Sequence, residues 1–312
     1  MSPNGLSPHQ LPSPTHSADS AMTPASSRRD FLRTLGATAL GAAALGTLTT
    51  LGAAAAHAAP ASAPAAGHVP GIQLYTARSL MATDVEGTLG ALAKIGYKEV
   101  EFAGYYNRDP KALRSTLDGL GLTAPSAHIP LDVLRTGLGP ALDAAAVLGH
   151  QYIVCPFVMP DQRNADGFRR IIDDLGRIGG EVKARGMQLA YHNHDFEFKP
   201  LPDGKLPYDL MLAGTDASLV KMEIDLYWIT FAGKDPLAYI SADPARYPLC
   251  HVKDLSRTGG TPHMADVGQG SIDFRNIFAH AQFQHYFVER DDTKDPLASA
   301  RVSEQALAAL LA

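Results

Sequence analysis

Six places in this 312-residue chain bring imidazoles or carboxylates to spacings suited to chemistry: Glu101, His128, the run His192-Asn193-His194, Asp225, the run His251-Val252-Lys253-Asp254, and Glu289-Arg290. Nitrogen and carboxylate donors without a thiolate describe a borderline-to-hard divalent site. Manganese, magnesium, cobalt, iron or zinc would suit it, whereas a closed structural zinc cage would not. In extended backbone a spacing of two puts His192 with His194, Glu223 with Asp225, and His251 with Lys253 on common faces. Each residue also has a plainer role open to it. Asp225 could cap a following helix, His251 could be a satisfied polar residue, Lys253 and Arg257 could be solvated charges, and Glu223 reads as a structural carboxylate beneath Asp225. The two cysteines, Cys155 and Cys250, fall on different predicted strands and read as small buried apolar residues.

These residues are far apart in sequence, so they need a scaffold that delivers strand ends to one rim. From Gly71 onward, short apolar runs alternate with longer amphipathic stretches, the pattern of repeated βα units. The runs are GIQLYT from Gly71, EVEFAG from Glu99, TAPSAHIP from Thr123, YIVCPF from Tyr152, QLAYHNH from Gln188, VKMEIDLYW from Val220, LCHVKD from Leu249 and HYFVER from His285. Between them, Asp84 to Ile95 places Leu89, Leu92 and Ile95 on one helical face, and Ala165 to Arg185 does the same with Ile171, Ile172, Leu175 and Ile178. Glycines at 96, 121 and 186 follow three of these helices, where a left-handed cap is expected. Eight units in one domain over 71–312 predict an α/β fold, a (β/α)8 TIM barrel, whose C-terminal strand ends carry the chemistry. An open doubly wound sheet is the alternative, and it lacks its Gly-rich loop after the first strand.

The first 58 residues have a different character. Residues 1–26 are rich in Ser, Pro, Thr and His without hydrophobic period and read as disordered. Ser27 to Arg33, SRRDFLR, precedes an uncharged Ala/Gly/Leu/Thr stretch and Ala56-His57-Ala58, which together read as a twin-arginine export signal. Residues 59–70 read as a linker. The leader implies the twin-arginine export machinery as a partner and a periplasmic or otherwise exported location. Removing this leader takes three arginines and two aspartates, so the net charge goes from −5 to −6. With no basic run, no nucleic-acid partner is expected.

The motifs YHNHDFEF (Tyr191 to Phe198), EIDLYW (Glu223 to Trp228), CHVKD (Cys250 to Asp254), VGQGSIDF (Val267 to Phe274) and FVERDD (Phe287 to Asp292) give the chain a family likeness. From Gly71 to its end it resembles the sugar phosphate isomerase/epimerase-like proteins of the xylose isomerase-type barrel superfamily. That superfamily also includes tagatose 3-epimerase-like enzymes and apurinic endonuclease IV. In the epimerase branch one divalent ion is held by residues ending strands five to eight. The resemblance thus implies a single ion on Asp225, His251 and Glu289, with His192 at a position that is glutamate in that branch. A second departure is Trp228, where the branch has a histidine three residues beyond the strand-six aspartate. Arg257, six residues past His251, matches a substrate-side arginine. The endonuclease branch uses more ligands and a basic groove, and fits poorly.

What the resemblance implies is proton abstraction beside a carbonyl of a free or keto sugar, giving isomerisation, epimerisation or, with a β-leaving group, elimination. Glu289 is the expected proton-transfer group, with His194 or Glu101 as the second. His128, Lys253 and Arg257 are the expected substrate contacts. A non-catalytic sugar- or metal-binding protein is the reading from a different class, motivated by the missing strand-five glutamate.

Overall fold

The computed structural model describes residues 67–312. The disordered stretch, the twin-arginine signal and most of the linker expected above lie outside the described residues. Eight parallel strands close into a barrel, β1 (Pro70–Gln73), β2 (Glu99–Phe102), β3 (Thr123–His128), β4 (Tyr152–Cys155), β5 (Gln188–His192), β6 (Val220–Asp225), β7 (Leu249–Val252) and β10 (His285–Val288). Each of the eight apolar runs contributes one strand. An antiparallel hairpin, β8 (Asp254–Ser256) and β9 (His263–Ala265), is inserted between β7 and β10.

Helices return the chain between strands: α1 (Val85–Ile95), α2 (Pro110–Leu120), α3 (Leu138–Leu148), α4 (Ala165–Ala184), α5 (Pro207–Gly214), α6 (Leu226–Phe231), α7 (Pro236–Ala242), α8 (Phe274–His280) and α9 (Pro296–Leu311). Side-chain caps start several of them. Asp84 Oδ1 accepts from the Gly87 amide, Asn164 Oδ1 from that of Gly167 and Asp295 Oδ1 from that of Ala298, each contact contributing about 1 kcal/mol. Gly121 stops α2 at φ 66°, a left-handed backbone that a side chain would strain.

Strand alternation sorts the side chains. Odd positions on β6, Glu223 and Asp225, turn inward, while Met222 and Ile224 join the core beneath the helices. The inward set is graded along the barrel. Tyr152, Val154, Ala190, Leu249 and Phe287 form a separate apolar plug at the earlier positions of their strands. At later positions the inward residues become polar: Gln73, Glu101, Ser126, His192, Glu223, Asp225 and His251 are all buried. The plug holds the strand ends apart and leaves the polar layer to face the C-terminal mouth.

Candidate metal centre

Four strand ends place four donor atoms together: His192, Asp225, His251 and Glu289 lie with their ligand atoms within 4.8 Å of one another. His251 Nδ1 is 2.8 Å from Glu289 Oε2 and 3.8 Å from Asp225 Oδ2, and His192 Nε2 is 3.4 Å from Asp225 Oδ2. Donors held about 2.0–2.2 Å from one ion sit roughly 2.8–3.6 Å apart, so these separations suit a shared cation. The orphaned atoms agree. His192 Nδ1–H donates to the Pro156 carbonyl at 3.2 Å, which directs the Nε2 lone pair to the cluster, where it has no hydrogen-bond partner. Asp225 Oδ2 also lacks a bond of acceptable geometry, although Lys253 Nζ is 3.2 Å away. Its other oxygen accepts from the Trp228 amide at 2.8 Å, so Asp225 caps α6 as well.

A second cluster lies on the buried side of His251 and shares that residue: Glu101, His128, Glu223 and His251. Here the polar atoms answer one another. Glu101 Oε2 receives His251 Nε2 at 2.7 Å, Gln73 Nε2 at 2.7 Å and His128 Nε2 at 3.2 Å, and its Oε1 receives the Ser126 hydroxyl. Glu223 Oε2 lies 2.7 Å from His128 Nε2 and 3.2 Å from His251 Nε2, and only its Oε1 has no partner. With Nε2–H of His251 directed at these carboxylates, Nδ1 is the nitrogen left for an ion.

Electrostatics follow from this packing. Burial alone would lower the His251 imidazole, but the Glu223 and Glu289 carboxylates carry it well above its ordinary range. Burial would raise Glu289, and the Lys253 ammonium and His251 instead hold it well below the usual carboxylate range. Lys253 is itself buried, yet Asp225, Asp291 and Glu289 keep it charged. His194 goes the other way: burial, then His192 and Lys253, push it well below 6.5, so it is a neutral imidazole.

The structure brings most expected residues to one mouth and gives Glu101, Arg257, His128 and Lys253 surroundings other than those expected. Glu101, expected as a proton-transfer group, is fully buried with both oxygens engaged, by Gln73, His128 and His251 on one and Ser126 on the other. Arg257 is exposed beyond β8, outside both clusters. His128, expected to contact substrate, has its Nε2 committed to Glu223. Lys253, open to being a solvated charge, instead sits 2.8 Å from Glu289 and 3.1 Å from Asp291. His194 stands at the mouth with Nδ1 unpartnered.

The supporting roles of several residues escaped sequence reading. Glu197 accepts from the Tyr191 hydroxyl at 2.6 Å and from the His194 amide at 2.8 Å, tying the turn after β5 to its own strand. Asn193 links to the Asp225 backbone through both ends of its amide. Asp254 gathers the amides of Leu255, Gly268, Gly270 and Ile272, which accounts for the VGQG motif: a side chain at position 270 would collide with that carboxylate. The close spacing of YHNHDFEF was the one available signal for Glu197. Asp254 could not be paired with glycines 14 and 16 residues away from sequence alone.

Comparison with known proteins places the chain among relatives. It is 25% identical over 263 residues to an inosose dehydratase of Lacticaseibacillus casei, spanning 72% of this chain and 87% of that protein. A sugar phosphate isomerase/epimerase from Parabacteroides distasonis is similar with a TM-score of 0.66 and 26% identity, over 80% of this chain and 98% of that one. The structure of an IOLI protein with a bound zinc atom shares the fold at 13% identity, with a TM-score of 0.64 over 78% of this chain and 98% of the other. The profile of the xylose isomerase-like TIM barrel matches residues 89–288. With a closed eightfold barrel and a match over more than half its length, the chain belongs to the xylose isomerase-like TIM barrel family.

Proposed function

We propose that this protein is a divalent-metal-dependent enzyme that takes a proton from the carbon beside a carbonyl of an unphosphorylated sugar or polyol ketone, with elimination of a β-leaving group as its outcome. One observation carries the reading: His192 Nε2 and Asp225 Oδ2 are buried without hydrogen-bond partners and converge with His251 Nδ1 and Glu289. A divalent ion held there supplies Lewis acidity, drawing electron density from a carbonyl and a neighbouring hydroxyl and acidifying the C–H between them. Its identity is left to measurement.

The chain's own groups then divide the work. Glu289 is the one carboxylate at the mouth whose oxygen meets both His251 and Lys253, at 2.8 Å each. It accepts the proton as the C–H bond breaks. The electron pair forms the enediolate and expels the β-oxygen, and the same carboxyl returns its proton to the leaving oxygen. Lys253 keeps the carboxylate ionised beforehand. Elimination needs a single such group, whereas epimerisation needs two on opposite faces of the ring. The strand-five position that would supply the second is His192, whose free nitrogen points at the ligands. The dehydratase relative supports this outcome. The neutral, unpartnered His194 favours isomerisation or epimerisation as the second reading, since it offers another proton acceptor at the mouth.

The test begins with protein isolated without chelator. One ion per chain is expected, with deuterium exchange or an unsaturated ketone product when inososes and 3-keto-glycosides are supplied in heavy water. Glu289→Gln should fold, bind the ion more weakly and lose turnover by several orders of magnitude. Absence of both metal and exchange, or full turnover in that variant, would overturn the reading. We also propose periplasmic delivery through the twin-arginine leader, which cell fractionation tests.

A further inference from the structure

Trp228 is the chain's single tryptophan, and neither the ligand set nor the proton transfer uses it. It lies on the first turn of α6, three residues after Asp225, and its position is fixed twice. Asp225 holds its amide, and Tyr227 and Phe231 brace the indole edge-on at 4.9 and 5.8 Å between centroids. The ring is half-buried, 5.5 Å from the His194 ring and 5.5 Å from Lys253 Nζ, which itself touches Glu289. Phe157 stands edge-on to His194 at 5.1 Å. The indole N–H is buried and has no partner among the described residues. One wall of the mouth is therefore aromatic, built on the segments that follow β4, β5 and β6.

The facing charges are already spent. Lys253 is shared among Asp225, Glu289 and Asp291. Arg78 donates to the Tyr75 and Asp291 carbonyls and lies over the Tyr75 ring. Arg290 pairs with Asp266 and Asp292, Arg163 donates to the Val158 carbonyl and lies over the Phe157 and Phe196 rings, and Arg257 is exposed beyond β8, outside both clusters. A phosphate needs uncommitted cations or helix amides, and this mouth offers carboxylates instead. An uncharged ring has what the wall accepts, since its C–H face carries the partial positive charge that the indole π-face attracts.

We propose that Trp228 is a specificity-determining residue, a platform against which the C–H face of an uncharged cyclic polyol or sugar ring lies beside the metal centre, and that the committed cations exclude phosphorylated sugars. This rests on the proposed metal-dependent reading, and the experiment separates the two. Full-length protein is first titrated with Mn2+, Mg2+, Co2+ and Zn2+ by calorimetry. The loaded form is then titrated with myo-inositol, D-glucose and D-glucose 6-phosphate, following emission of the sole indole and heat together. The expected result is a saturable emission change with at least one uncharged ring. The phosphorylated sugar should bind no more tightly than glucose. Trp228→Phe should retain binding within a few-fold, and Trp228→Ala should weaken it by about 3- to 10-fold, the range that aromatic stacking supplies, with metal affinity unchanged in both. Failure of every metal to bind would sink the metal reading and this proposal with it. Metal binding without any indole response, unaltered ring affinity in Trp228→Ala, or preference for the phosphate would overturn the platform alone.

Discussion

The two imidazole–carboxylate clusters meet at His251 and treat their polar atoms differently. On the buried side, Glu101, His128 and Glu223 satisfy one another and His251 Nε2, and a single oxygen of Glu223 is left over. On the mouth side, His192 and Asp225 each present a buried atom with no hydrogen bond, 3.4 Å from one another. Buried polar atoms left bare are costly, on the order of 1–3 kcal/mol each, so a fold retains them where something else completes them. Both clusters have the residue types of a metal site, and hydrogen-bond satisfaction distinguishes the one we propose as the ion's site from the one that would orient its ligands.

The sharpest way to break this comparison is Asp225→Asn. The amide oxygen can still cap α6, so the barrel should fold with a near-native melting temperature, while metal affinity measured by calorimetry should fall by more than a hundredfold. Retention of tight binding would move the ion to the lower cluster. Glu101→Gln is the next test. It removes the charge that fixes His251 Nε2–H, and losing such an outer partner costs about 10–100-fold in metal affinity. The ion should remain stoichiometric at saturation, whereas a direct ligand role for Glu101 would abolish it.

The smallest expected effect is on pH-dependent stability of chelator-treated protein. Burial would lower His128, but the Glu101 and Glu223 carboxylates raise it to about 9 from an ordinary 6.5. A group raised on folding stabilises fully below its unfolded value, and that contribution disappears as pH climbs through the folded one. The urea midpoint should therefore decline between about pH 6.5 and 9. His128→Gln should flatten that decline, and an unchanged slope would show that His128 carries no charge in the folded protein.

Much of this arrangement was legible before folding. Apolar runs located all eight strands, six of them ending in ionisable residues, and the two-residue period paired Glu223 with Asp225 and His251 with Lys253 on inward faces. Depth was not legible. Alternation says which way Glu101 turns but not that Gln73, Ser126 and His251 close over it. The hairpin β8–β9 was also hidden, because it is organised by one carboxylate, Asp254, reaching amides up to 18 residues away. Asp225 shows that two sequence readings need not exclude each other: one carboxylate oxygen caps α6 and the other is left bare.

That division has an evolutionary consequence. Because one oxygen of Asp225 starts a helix and the other is the bare atom we propose for the ion, exchange for asparagine would preserve only the first duty. The position is closed to drift. His192, by contrast, makes one hydrogen bond, to the Pro156 carbonyl, and otherwise packs ring to ring against His128, His194 and His251, so another donor there would leave every helix start intact. Reaction type can thus diverge at strand five while the scaffold and the remaining ligands stay constant.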